Sequence, residues 1–158
     1  MKRYCSRIAI KPTTLTEDTA YQSWYNSDVV SMRLLRMHLQ LDSADAGGGA
    51  NSIYGFQRIK GQPTGGDSII ATHYDTNSEP SKMIINRAQG GLTMTGVTRE
   101  TYFLERSIVS KTTGSASNIE FDHEEGFILL PGEGLCIFAD NTVISGSGVY
   151  GMLEWGEE

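Results

Sequence analysis

Short runs in which apolar and polar residues alternate, each closed by Gly, Pro, Asn or Asp, fill this sequence from Leu34 to Trp155. A period of two places successive side chains on opposite faces of a strand, so one face can enter a core while the other meets solvent. LLRMHLQLD puts Leu35, Met37, Leu39 and Leu41 on one face and Arg36, His38 and Gln40 on the other. GVYGMLEW does the same with Val149, Gly151, Leu153 and Trp155 against Tyr150, Met152 and Glu154. Between them lie SIYGFQRIKG, SIIATHYD, KMIINRAQ, GLTMTGV, ETYFLERSIVS, NIEFD, GFILL and GLCIFAD, separated by turns such as GQPTGGD, TNSEPS and KTTGSAS. No long helical pattern and no repeat of fixed period interrupts them. The pattern predicts an all-β chain, a single antiparallel β-sandwich or jelly roll.

Upstream, Tyr4–Ile10 reads as one strand, ended by Pro12. The segment TTLTEDTAYQSWYNSD, residues 13–28, lacks alternation and suits a short helical turn capped at Thr16. The expected organisation is an N-terminal arm or strap over 1–30 and the sandwich over 31–158. Tyr21, Trp24 and Tyr25 fall in that first segment. They serve either as exposed aromatics that dock on a partner or as a strap across the domain's own core.

A chain of 158 residues has room for one domain with one core, and needs no disulfide framework. Cys5 and Cys136 are accordingly expected as reduced thiols. No run approaches the roughly 18 apolar residues of a membrane span. The basic start MKRYCSRIAIK is broken at Arg7 and Lys11, which does not read as a signal peptide. Charge is unevenly spread: residues 112–158 hold nine of the nineteen carboxylates and none of the thirteen Lys and Arg. The two halves could attract each other within the fold or across subunits. Neither half clusters its basic residues as a phosphate-binding face requires, so neither nucleic acid nor membrane is an expected partner.

Motifs for chemistry are sparse. Gly146-Ser147-Gly148-Val149-Tyr150-Gly151 spells GxGxxG, but an alternating strand follows where a dinucleotide site needs a helix N-terminus. His73 and Asp75 share one face of a strand at i and i+2, without the third and fourth ligands a metal centre requires. Asp122, His123, Glu124 and Glu125 form an acidic corner lacking the alternating pattern and central Gly of a calcium loop. There is no GxSxG, SxxK or P-loop sequence. The residues thus point to a non-enzymatic protein without catalytic residues, metal or cofactor. Pro131-Gly132-Glu133-Gly134, between two apolar strands, reads as the tight turn of a hairpin within the sandwich. A similar turn occurs in cupins, but no metal-binding His follows it here.

The tract GFILLPGEGLCIFADNTVISGSGVYGMLEWGEE resembles the end of small virion proteins of tailed bacteriophages, in which an L-x-PGEGL turn precedes a closing strand with an EW-x-E tail. IYGFQRIKG, IIATHYDTNSEPS and GLTMTGV extend the likeness over residues 33–158. The resemblance implies a jelly-roll decoration or cement protein on the capsid exterior. It would bind the major capsid protein and assemble as a homotrimer. Outward Tyr150 and Met152 then become candidates for the subunit seam, and Tyr21, Trp24 and Tyr25 for the capsid contact. The alternative is a carbohydrate- or receptor-binding module of a tail fibre or spike, with Tyr54, Tyr74 and Tyr150 stacking on sugars.

Overall fold

The computed structural model describes residues 1–12, 14–42, 52–74, 79–101, 105–109, 115–120, 127–140, 143–144 and 148–158. Its strands are β1 (Lys2–Ile10), β2 (Thr14–Leu15), β3 (Ala20–Asn26), β4 (Met32–Asp42), β5 (Ser52–Lys60), β6 (Asp67–Ser68), β7 (Thr72–His73) and β8 (Met83–Arg87). They continue with β9 (Thr98–Arg99), β10 (Glu105–Val109), β11 (Ser115–Glu120), β12 (Phe127–Leu129), β13 (Glu133–Ala139), β14 (Val143–Ile144) and β15 (Gly148–Glu157). No helix occurs among the described residues.

Two antiparallel sheets pack together as a β-sandwich. The first runs β11–β4–β15–β1–β7, with β12 also on β4, and the second runs β10–β5–β13–β3–β8–β6, with β9 on β5. Pairing is nested: β1 takes β15, β3 takes β13, β4 takes β11 and β12, and β5 takes β10. First pairs with last and each later strand with an earlier-ending one, while successive pairs alternate between sheets. A long hairpin rolled up in this way is the jelly-roll topology.

Between the sheets, Tyr4, Ile8, Trp24, Phe56, Leu153 and Trp155 are fully buried in one apolar cluster. Tyr4 and Trp155 stack with ring centroids 6.0 Å apart. A second cluster lies on the far side of β13. There Ala20, Ile59, Leu92, Cys136 and Phe138 are buried, with Ala88, Met94 and Val97 packed against them. Every residue of β13 is therefore buried. The segment expected as the strand GLTMTGV instead roofs the second sheet, tied to it where Leu92 N donates to Ala20 O at 2.7 Å and bridged from Thr93 to Thr64. Arg99 pins that roof. Its guanidinium lies 3.7 Å from the Phe138 ring centroid, donates to Gln57 Oε1 (2.8 Å from Nε) and pairs with Asp18 at 3.1 Å.

Residues 1–30 are not an arm. β1 lies inside the first sheet and β3 inside the second, between β13 and β8. The helical turn expected over 13–28 is replaced by β2, a turn at Glu17–Asp18 and β3. β3 shows no alternation because its two faces meet the two clusters, and because a register irregularity opposite Ile137/Phe138 places Tyr21 in the core between Ala20 and Gln22. The PGEG turn is likewise not a hairpin within one sheet. Glu133 N donates to Leu130 O across it at 3.0 Å, with Gly132 at φ +82°, and the chain passes from β12 on β4 to β13 on β5.

Candidate interaction surface

The roof over the second sheet leaves the first sheet as the face with exposed strands. Its outward residues stand in cross-strand rows: Arg3, Gly156 and Arg33; then Cys5, Glu154 and Arg36; then Arg7, Met152 and His38; then Ala9, Tyr150 and Gln40. Arg3, Arg7, Arg36, His38 and Gln40 are exposed, and Tyr150 and Met152 are half-buried among them. On the opposite side of β15, Val149, Leu153 and Trp155 enter the core, as the alternation predicts. Gly151 permits close packing there, because a Cβ at that position would collide with the His38 carbonyl of β4.

One polar network anchors the centre of this face. Arg36 Nη2 donates to Glu154 Oε2 at 3.1 Å, and the Glu154 side chain is only 11% exposed. Tyr74, next to β7, is pushed up to about 12 by burial of its hydroxyl, then by its hydrogen bond to Glu154 and by its proximity to Cys5. Burial also raises the Cys5 thiol; the Tyr74 hydrogen bond opposes this and the Glu154 charge adds to it. At neutral pH the cluster therefore holds a neutral phenol and a neutral thiol against one carboxylate–guanidinium pair. Such a set fixes side chains and offers no activated nucleophile.

The residues singled out in the sequence divide sharply. Tyr21 and Trp24 are buried at 1% and 0% exposure, so neither is a docking aromatic. Trp24 Nε1 donates to Ser6 Oγ at 2.6 Å, and Tyr21 Oη accepts from Thr16 N at 3.1 Å. Tyr25 is half-buried on β3 of the other sheet, away from Tyr150 and Met152. Tyr150 and Met152 alone come together on the open face. Of the three tyrosines considered for sugar stacking, Tyr54 is fully buried, whereas Tyr74 is 54% exposed. Cys5 and Arg7 stand in the outward phase of the strand read at Tyr4–Ile10, and no motif marks them or Arg3 in the sequence.

A different surface feature lies at one end of the sandwich. Val29 and Leu130 are exposed on two adjoining loops, which buried Asn26 ties together by donating to Val30 O and Leu129 O, both at 2.9 Å.

Among the described residues no group of three or more His, Cys, Asp and Glu is placed to hold a metal. His73 lies at the sheet edge with its ring edge-on to Tyr4. Its proposed partner Asp75 lies outside the described residues, as do Asp122, His123, Glu124 and Glu125. Gly146 and Ser147 are outside them too, and Gly148 opens a strand. Both cysteines are free, and burial pushes the Cys136 thiol strongly up. The fold and this face define a jelly-roll domain with one roofed and one open sheet. Compared with known proteins, the chain matches no family model and shows no significant similarity to any curated protein.

Proposed function

We propose that this chain is a structural protein of a tailed-bacteriophage virion, a decoration or cement protein that binds the major capsid protein on the outside of the shell and stabilises it. The observation that carries the reading is the open face of β4, β15 and β1, with Tyr150 and Met152 at its centre among arginines. Tyr, Met and Arg are the residue types enriched where protein surfaces meet. The jelly-roll topology and the PGEGL and EW-x-E tract support the same reading. With Trp24 and Tyr21 taken into the core, contact with the shell falls to this open face, which takes Tyr150 and Met152 from the subunit seam expected for them to the shell contact. The protein assembles as a homotrimer, and acts without catalysis, metal or cofactor.

Co-sedimentation with expanded, empty capsids tests the reading: the protein pellets with shells and Tyr150→Asp does not. A second reading, a glycan-binding module of a tail fibre or spike, draws on Tyr74 and Tyr150 lying on one face. Selective binding on a glycan array with no binding to shells would favour it.

A further inference from the structure

On the open face, two guanidinium groups stand apart from Arg36 of the same face and from Arg58 and Arg99 of the second sheet. Arg36, Arg58 and Arg99 each lie within 4 Å of a carboxylate, at 3.1, 3.8 and 3.1 Å respectively. Arg3 and Arg7 are exposed on β1, and neither side chain forms an ion pair or hydrogen bond among the described residues. They lie on the same side of one strand, roughly 13 Å apart by strand rise, with Cys5 between them and Met152 opposite Arg7. The chain as a whole carries a net charge of −6, so these two cations are local exceptions to its field.

We propose that Arg3 and Arg7 form the charged edge of the docking surface and receive carboxylates of an acidic protein surface. The inference rests on the reading of this face as the docking surface, and adds the chemistry of the partner. One observation favours protein carboxylates over nucleic-acid phosphates. Half-buried Met152 and Tyr150 next to Arg7 suit a partner with apolar surface beside its acids.

The test uses the full chain and two immobilised probes, poly-L-glutamate and duplex DNA, with salt varied from about 0.05 to 0.5 M. The double variant Arg3→Glu/Arg7→Glu is compared with Arg3→Gln/Arg7→Gln, and melting temperature checks that each is folded. Expected is poly-glutamate binding that weakens with salt, falls about tenfold in the neutral variant and disappears in the reversed one. Binding unchanged in both folded variants would overturn the proposal. So would DNA binding tighter than poly-glutamate binding and lost in the same variants, which would make phosphate the ligand. Shell binding abolished by Tyr150→Asp but untouched by both arginine variants would overturn the carboxylate chemistry while leaving the docking face standing.

Discussion

Trp24 Nε1 donates a 2.6 Å hydrogen bond to Ser6 Oγ, joining β3 of one sheet to β1 of the other through the middle of the core. Both residues are buried, so the bond is made where water cannot replace it. Ser6→Ala leaves the indole N–H without an acceptor, which costs about 1–3 kcal/mol. A thermal melt should fall by about 2–4 °C per kcal/mol. Ser23→Ala is the contrasting case. The Ser23 hydroxyl is buried with no hydrogen-bond partner among the described residues, so its removal should leave the melting temperature unchanged or raise it.

Removing residues 1–28 should abolish folding rather than free a sandwich from an appendage. The deletion takes β1 from between β15 and β7 and β3 from between β13 and β8. It also removes Tyr4, Ile8 and Trp24 from the core. Far-ultraviolet circular dichroism and solubility of the truncated chain check this; a cooperative β-sheet melt would contradict it.

Arg99→Met should loosen the roof over the second sheet. The substitution keeps apolar bulk over Phe138, but it deprives buried Gln57 of its side-chain donor and Asp18 of its ion-pair partner. An unsatisfied buried acceptor costs about 1–3 kcal/mol. Faster limited proteolysis within 88–100 with little loss of core stability is the expected result.

Alkaline titration should report on Tyr74. Its folded value of about 12 exceeds the ordinary tyrosine value of 10, because burial and the bond to Glu154 favour the protonated phenol. Its contribution to stability is therefore complete below pH 10 and is lost as pH rises through about 12. Between those values the parent should lose stability more steeply than Tyr74→Phe in urea unfolding. Parallel decline of the two would remove the linkage.

The strands that were plain in the sequence are those with one face in the core. β15 alternates from Val149 to Trp155, and Met37 and Leu39 of β4 keep the phase that LLRMHLQLD predicts. β3 was not legible, because a strand with both faces buried has no alternation and Tyr21 breaks its register. Nor does any local signal tell that residues 88–100 cover Phe138 rather than pair as a strand. The nested pairing joins residues as distant as Lys2 and Glu157 and is likewise invisible to local pattern. On the open face, Tyr150 and Met152 followed from alternation alone. The Glu154–Arg36 bond needed the cross-strand register.

The face itself contains a natural reporter of docking. Cys5 is half-buried between Arg3 and Arg7, whereas Cys136 is fully buried beneath the roof. A maleimide should therefore label one thiol in the native protein and two in denaturant. The most direct test of docking through this face is the labelling rate of Cys5 with and without saturating empty capsid shells. The account predicts at least tenfold protection of Cys5 in the shell-bound protein. Labelling at the free rate while the protein co-sediments with the shells would contradict it.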